Sequence, residues 1–263
     1  KRNYRCLECV EFLNYVVEMF NKKGWSLDAS VGYAQKNNLF STDEMVCTKT
    51  LYNYVDLGIL PIKNIDLPEK LKRNTKSSST RKNRKILGKS IEERPETVNL
   101  REEFGHWEID SVLGKKKDTE PAIMTIVERK TRMSLWIKIK DHSSMAIDEA
   151  LQSLINRFGT KKSEVFKSIT GDNGSEFANL SNIENNGISM YFTHPYTSCE
   201  KGTNECHNKM LRRFIPKGKS IDDYSAEDIL FFSDTINGLP RKILNYHTPE
   251  EMFDNQLDRI YAT

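Results

Sequence analysis

The chain has 263 residues, of which 37% are apolar and 29% charged, with 12 Phe, 10 Tyr and 3 Trp. This length and apolar content suffice for one or two packed domains and exclude a disulfide-stapled miniprotein and a globally disordered chain. The net charge is only +3, so attraction to a polyanionic partner must come from the local distribution of the 40 Lys and Arg residues.

No apolar stretch reaches the length of a membrane-spanning helix, and the amino terminus lacks the pattern of a signal peptide. We therefore expect a cytoplasmic protein with no membrane partner. The five cysteines are odd in number and irregularly spaced, which favours reduced thiols. Cys6 and Cys9 are spaced like two zinc ligands, but no second pair follows nearby, so zinc is not expected. Because residue 1 is Lys, an upstream segment could be missing.

Residues 1–68 are predicted to hold three helices. Apolar residues recur at three- and four-residue steps over residues 5–21, the period of an amphipathic helix. Ser26 precedes a second helical run, and Ser41 or Thr42 with Glu44 has the pattern of another helix start. The third stretch is predicted to bury Val46, Leu51, Val55 and Leu57, and to expose Lys49, Asn53 and Tyr54.

This third stretch has the polar face of a recognition helix. In a helix-turn-helix, exposed polar residues of the second helix contact base edges in the major groove, as expected here for Lys49, Asn53 and Tyr54. An ordinary three-helix bundle with a solvated face fits the same periodicity, because periodicity carries no information about the partner. The segment that follows favours the helix-turn-helix.

Residues 69–97 are predicted to be a basic, flexible linker. Between Lys70 and Lys89 there are nine basic residues and no acidic one, with four consecutive Ser and Thr residues in the middle. Such a segment has too little apolar mass to fold alone. A run of one sign beside a candidate helix-turn-helix favours contacts with DNA phosphates. The contacts are expected from Arg81, Lys82, Arg84 and Lys85.

Residues 98–263 have the pattern of an α/β domain with a C-terminal helical tail. Three short β-branched and aromatic runs predict a strand meander. A helix should follow and end at Gly159, and two further strands precede a helix that Thr203 can cap. This order predicts a mixed sheet with helices packed against it. The predicted strands of the meander are 106–113, 122–128 and 133–140.

Three acids lie where such a sheet would bring them together. Asp110 is inside the first strand, Asp172 directly follows the fourth, and Glu205 begins the helix after the fifth. An acid in an apolar strand is costly unless it is paired or bound to a cation. Three converging carboxylates can hold two Mg²⁺ ions, which suits in-line phosphoryl transfer. Taken singly, Asp172 also fits an ordinary turn and Glu205 an ordinary first helical turn.

The sequences GHWEIDSV, TGDNGSEF and HPYTSCEKGTNECHNKMLRRFIPKG occur in that order, followed by NYHTPEEMF. Together they resemble the catalytic core of the insertion-sequence-thirty family of bacterial transposases over about residues 100–255. The resemblance implies an RNase H-like fold, related to retroviral integrases, and a DDE triad. By this likeness Asp110, Asp172 and Glu205 are the catalytic residues and ligands of two Mg²⁺ or Mn²⁺ ions. Glu200 is a weaker competitor for the third place, because it is off the family spacing.

Around Glu205 the chain departs from the family pattern, with Cys199, Cys206 and Lys209 where the family usually has Trp, Asn and Gly. Around the triad, Asn173, Asn204 and Asn208 could hydrogen-bond water or DNA. His106 and Trp107 could pack below the metal site. Turn formation and core filling are preferred for these five residues. A second basic group is expected to contact DNA phosphates. It comprises Arg212, Arg213, Lys217 and Lys219.

The resulting hypothesis is a transposase that cuts DNA at the ends of an insertion sequence and joins the freed 3′-hydroxyl to target DNA. The helix-turn-helix would recognise the terminal inverted repeats, and the resemblance implies a homo-oligomer on DNA, because two ends must meet. The site of action would be the bacterial nucleoid. Two alternatives stay open, namely a DNA-binding regulator that has lost catalysis and a nuclease of the same fold.

Overall fold

The computed structural model describes residues 5–68, 87–115, 120–194 and 201–262. These residues form two compact units. The described part of the chain up to residue 68 belongs to the first unit together with residues 238–249, and the remaining described residues belong to the second. The predicted domains differ from this division in two places, residues 238–249 and residues 87–97.

The first unit is built on three helices, in agreement with the sequence prediction. Helix α1 is Val10–Lys23, α2 is Leu27–Lys36 and α3 is Thr48–Asp56. The side chain of Ser26 caps α2 by accepting a hydrogen bond from the backbone N–H of Ala29 at 3.1 Å. The three helices enclose a small apolar core because each buries one face. Its fully buried members include Phe12, Val16, Leu27 and Leu51.

Two orientations predicted for α3 are wrong. Tyr54 is only 3% exposed and belongs to the core, whereas Leu57 is 57% exposed. Leu51, Tyr54 and Val55 share one helical face because they are spaced by three and four residues, and Leu57 lies beyond the last helical residue. Lys49 and Asn53 are exposed, as predicted.

Residues 238–249 join the first unit through α2. The Tyr246 hydroxyl donates to the Asp28 carboxylate at 3.3 Å, and the Lys36 ammonium lies 2.6 Å from Nδ1 of His247. The Tyr246 ring covers Gly32 so closely that a side chain at that position would overlap it. The prediction missed this packing because it depends on contacts between residues more than 200 positions apart.

The second unit contains a five-stranded mixed sheet in the order β3-β2-β1-β4-β5. Strand β1 pairs antiparallel with β2 and parallel with β4, and β4 pairs parallel with β5. An antiparallel meander joined to a parallel pair is the topology of an RNase H-like fold, as expected. The strands are β1 His106–Leu113, β2 Ala122–Glu128, β3 Ser134–Ile139, β4 Ser168–Gly171 and β5 Ser189–Phe192.

Six helices of the described chain accompany this sheet, and α9 begins at the last residue assigned to the first unit. Helix α7 starts one residue before Thr203, so Thr203 is inside the helix and is not its cap. None of the helices in the described ranges has both the length and the apolar character to span a bilayer. The helices are α4 Glu96–Leu100, α5 Ser144–Asn156, α6 Lys162–Val165, α7 Gly202–Phe214, α8 Ala226–Asn237 and α9 Pro249–Tyr261.

The core of the second unit lies on one face of β1. Trp107 is fully buried, stacks on Phe166 at 4.8 Å between ring centroids, and donates from its indole N–H to the Val165 carbonyl at 2.8 Å. His106 is also buried and bonds to Ser168. Core filling is thus confirmed for Trp107. Side chains alternate along a strand, so His106, Glu108 and Asp110 face the other side, where His106 makes polar contacts with Ser168 and Glu103.

The contact between α2 and Tyr246 gives the first prediction. Gly32→Ala should lower the free energy of unfolding by about 1–3 kcal/mol, because the added methyl overlaps the tyrosine ring. In a Tyr246→Ala background the same change should be neutral or slightly stabilising, since alanine favours helix over glycine. Urea unfolding of the four proteins measures both effects, and equal losses in the two backgrounds would contradict the packing.

Candidate active site

Two of the predicted acids meet at one lysine. Asp110 lies on β1 and Asp172 directly follows β4, its parallel neighbour. The Nζ atom of Lys201 lies 3.2 Å from Oδ1 of Asp110 and 3.1 Å from Oδ2 of Asp172. The fold therefore gathers two carboxylates, 62 positions apart in the numbering, around a single positive charge.

The electrostatics of Asp110 reflect this crowding. Burial raises the pKa of the Asp110 carboxyl above its ordinary value, and the nearby negative charge of Asp172 raises it further. The Lys201 ammonium opposes both effects. A carboxylate in such a position gains from any additional positive charge, because its charged form is poorly solvated.

Asn208 holds the second oxygen of Asp110. Its Nδ2 donates to Oδ2 of Asp110 at 2.7 Å, while its Oδ1 accepts from the hydroxyl of Thr125 on β2 at 3.1 Å. Asp172 is oriented locally, since its Oδ1 accepts the backbone N–H of Gly174 at 3.0 Å. The turn expected for Asp172 and its place in the site therefore coexist.

Glu205 lies on α7 between residues that contact the aspartates. Glu205 and Asn208 are three residues apart and so lie along one side of α7, and Lys201 directly precedes the helix. The Glu205 side chain is half exposed, and its Oε1 lies 3.0 Å from Nζ of Lys209. Within the described ranges no three His, Cys, Asp or Glu side chains are grouped closely enough to hold a metal ion. The structure thus brings Asp110 and Asp172 together, with Glu205 on the adjoining helix but outside that pair.

A buried ion pair below the site anchors the start of α7. Glu108 is fully buried and is bonded to the guanidinium of Arg129. Its other oxygen accepts the backbone N–H of Asn204 at 3.0 Å, in the first turn of α7. An acid at a helix amino terminus satisfies a free N–H and complements the helix dipole. The sequence alone does not reveal this role of Glu108, because Asn204 is 96 positions away in the chain.

Further contacts hold the same helical turn. Arg132 donates to the Thr203 hydroxyl at 3.1 Å, and the two ring nitrogens of His207 contact the Thr203 and Arg132 carbonyl oxygens at 2.8 and 3.1 Å. The turn between β2 and β3 is therefore tied to the helix that carries Glu205. None of these three residues was predicted to serve the site.

Beside Asp110, a second polar cluster joins β1 to the turn after β4. Nε2 of His142 lies 2.7 Å from the Ser111 hydroxyl and 3.3 Å from Oε1 of Glu176. The hydrogen bond to Glu176 raises the pKa of His142 above its ordinary value, although burial opposes it. Serine and glutamate approach the same ring nitrogen, so the glutamate does not orient the ring as in a hydrolase triad.

The residues predicted to contact DNA differ in their exposure to solvent. Arg212 is half-buried and donates to the Leu113 carbonyl at 2.8 Å, so part of its hydrogen-bonding capacity is used within the fold. Arg213, Lys217 and Lys219 are exposed. Asn173 bonds to the backbone of Leu87 and Thr193 and so ties the turn after β4 to two other segments. Of the residues singled out from the sequence for DNA contacts or the active site, six lie outside the described ranges, namely Arg81, Lys82, Arg84, Lys85, Cys199 and Glu200.

A mixed sheet in this order, with acids on β1 and after β4 facing a helix, defines the integrase-core class of RNase H-like proteins. Comparison with protein families agrees, since the integrase core domain family matches residues 101–198. Among solved structures, the chain is similar to the catalytic core domain of BIV integrase, with 19% identity and a TM-score of 0.44. That similarity covers 60% of this chain and 98% of the other.

Three curated proteins show closer sequence similarity. A probable transposase for the insertion-like sequence element IS1161 of Streptococcus salivarius is 44% identical, covering 79% of this chain and 58% of that protein. The transposase for IS4351 of Bacteroides fragilis is 38% identical over 62% and 48%. Transposase InsI for IS30A of Escherichia coli K12 is 32% identical over 64% and 43%.

The chain is therefore similar to transposases of the insertion-sequence-thirty family over most of its length. It spans only about half the length of the curated relatives it matches, from 43% to 58% for these three.

The buried pair below the site gives the second prediction. Glu108→Gln should lower the free energy of unfolding by about 3 kcal/mol or more, because it leaves the buried Arg129 guanidinium without a counter-charge. Glu184→Gln is the matched control, since it breaks a largely exposed pair with Lys89 and should leave stability almost unchanged. Urea unfolding measures both, and similar losses for the two variants would contradict the assigned importance of the Glu108 pair.

Proposed function

We propose that this chain is a DNA transposase that cuts at insertion-sequence ends and transfers the freed 3′-hydroxyl to target DNA. The observation that carries this proposal is the convergence of Asp110 and Asp172 on one cation at the centre of an integrase-type sheet. Similarity to transposases of the insertion-sequence-thirty family supports the reaction class, and the proposed third acid is Glu205.

The residues present fit divalent metal ions. Asp110 and Asp172 already share a cation, the Lys201 ammonium, and their hard carboxylate oxygens are the ligands that Mg²⁺ and Mn²⁺ prefer. We assign two such ions to Asp110, Asp172 and Glu205. When bound, they would activate the attacking oxygen and stabilise the leaving oxygen of the phosphodiester.

Other residues would position these ligands and the DNA. Asn208 keeps the Asp110 carboxylate oriented, and Glu108 anchors the first turn of α7, which carries Glu205. Arg213 and Lys217 are exposed on and just after α7 and would contact DNA phosphates near the reacting bond. Arg212 would contact DNA phosphates only through the N–H groups that do not donate to the Leu113 carbonyl.

The first unit would recognise the terminal inverted repeats as a helix-turn-helix. Its support is α3, which buries Leu51, Tyr54 and Val55 while exposing Lys49 and Asn53. Arg81, Lys82, Arg84 and Lys85 would add phosphate contacts from the basic segment. We further propose that two or more copies act together on DNA at the bacterial nucleoid, because two ends must be joined.

The contact between Glu205 and Lys209 is the feature that would favour a catalytically inactive, DNA-binding regulator. Both side chains are at least half exposed and lie one helical turn apart. Pairs of this kind stabilise a helix by only about 0.5 kcal/mol or less. A contact this weak would not keep the Glu205 carboxylate from binding a divalent ion, so we favour the active enzyme.

The third prediction tests the catalytic assignment. Asp110→Asn should reduce strand transfer of labelled insertion-sequence ends in Mg²⁺ by at least about a thousandfold, since metal-assisted stabilisation contributes several kcal/mol. Asp148→Asn, on α5, should keep full activity because Asp148 bonds to Gln152 instead. Full activity in Asp110→Asn would remove the assignment, and cutting without joining by the unaltered chain would identify a nuclease.

The fourth prediction tests the proposed recognition helix. Asn53→Ala should weaken binding to the terminal-repeat DNA by about tenfold or more, while affinity for unrelated DNA changes little, because a lost base contact costs about 1–3 kcal/mol. Asn37→Ala, an exposed asparagine at the end of α2, is the matched control. Fluorescence anisotropy at one salt concentration measures both, and unchanged discrimination by Asn53→Ala would contradict a base-reading role.

A further inference from the structure

Lys201 is a buried lysine whose ammonium makes its contacts inside the candidate active site. The residue is 7% exposed, and besides the two aspartates its Nζ contacts the Ile109 carbonyl oxygen at 3.3 Å. The ammonium also lies 5.7 Å from the centroid of the Phe177 ring, which is fully buried. Its position is therefore determined by four separate groups.

This position coincides with the place where the proposed metal ions would need their ligands. One oxygen of Asp110 and one of Asp172 are already bonded to the ammonium, and the second Asp110 oxygen is bonded to Asn208. A divalent ion on those carboxylate oxygens would lie close to the ammonium, and the two cations would repel each other at short range. Metal binding and the Lys201 contacts therefore compete.

The energetics make exchange feasible. A buried ion pair stabilises a fold little, since the cost of removing both charges from water offsets most of their attraction. A divalent ion brings twice the charge and can keep some of its own water molecules. The lysine ammonium is carried on a flexible four-carbon chain, so it can leave the two carboxylates without a change in the backbone of the strands.

We propose that Lys201 is a built-in placeholder cation, which neutralises Asp110 and Asp172 in the metal-free protein and must leave when divalent ions enter. This inference rests on the proposed function. No covalent bond changes in the exchange, because one ammonium withdraws from two carboxylates as the ion binds them. Lys201 directly precedes α7, and Glu205 lies one turn further on, so the exchange links metal loading to the helix that carries the third acid.

The test is direct titration of the full chain with Mn²⁺ by isothermal calorimetry, without DNA. Lys201→Met removes the charge and keeps an apolar chain, and it should bind Mn²⁺ at least about tenfold more tightly than the unaltered protein. Lys201→Arg retains a cation and should bind no more tightly than the unaltered protein. Lys140→Met is the charge-matched control, because it removes a lysine that pairs with Glu149 on the surface, and its affinity should not change.

Thermal unfolding supplies a second readout that a purely structural lysine would not produce. Lys201→Met should unfold at a lower temperature than the unaltered protein without metal, and Mn²⁺ should narrow that difference. A constant difference with and without Mn²⁺, or unchanged Mn²⁺ affinity, would overturn the placeholder role. Lys201→Gln provides the same comparison if the methionine variant does not fold.

Failure of the inference can be separated from failure of the proposed function. If Asp110→Asn abolishes Mn²⁺ binding but Lys201→Met binds like the unaltered protein, the metal site stands and the placeholder is wrong. If neither the unaltered protein nor Lys201→Met binds Mn²⁺ at millimolar concentration, the proposed metal site is wrong, and the placeholder with it.

Discussion

Repulsion between two carboxylates on neighbouring strands is the constraint on which the second unit depends. Asp110 and Asp172 can lie together at the edge of an apolar sheet only if positive charge and hydrogen-bond donors surround them. Lys201 supplies the charge, and Asn208 and the Gly174 N–H supply the donors. Two of these three partners belong to α7 or directly precede it, so the position of that helix decides whether the acids are accommodated.

The position of α7 depends in turn on a second buried charge. Glu108 faces the helix from β1, two residues before Asp110, and accepts the N–H of Asn204. Arg129 neutralises Glu108 and also donates to the Val98 carbonyl at 3.1 Å. Strand β1 thus carries Glu108, which anchors the start of α7, and Asp110, which contacts the Asn208 side chain of the same helix. Strand alternation places them on the same face, away from the apolar core under Trp107.

The sequence was sufficient to predict the strands, because they follow from local patterns, whereas the pair of aspartates was predicted from the expected sheet together with the family resemblance. The predicted bounds of β1 and β2 match the observed ones residue for residue, since apolar runs and polar turns alternate sharply there. The contacts of Lys201 with Asp110 and of Glu108 with Asn204 escaped prediction because they join residues 91 and 96 positions apart and leave no periodic pattern in the sequence. Tyr54 was misassigned because an aromatic ring with a hydroxyl suits either face of a short helix.

The two departures from the family pattern that the structure describes, Cys206 and Lys209, lie outside the contacts of α7 with the sheet. Cys206 and Lys209 are both exposed, whereas the α7 residues that contact β1 and β2 are Asn204 and Asn208. A helix presents different residues to the sheet and to solvent, so substitutions on its outer side leave the inner contacts unchanged. Lys209 adds one exposed positive charge near Glu205. The inner face keeps its hydrogen bond from Asn208 to Asp110 and its anchor on Glu108, so the contacts of α7 with β1 do not depend on the substituted positions.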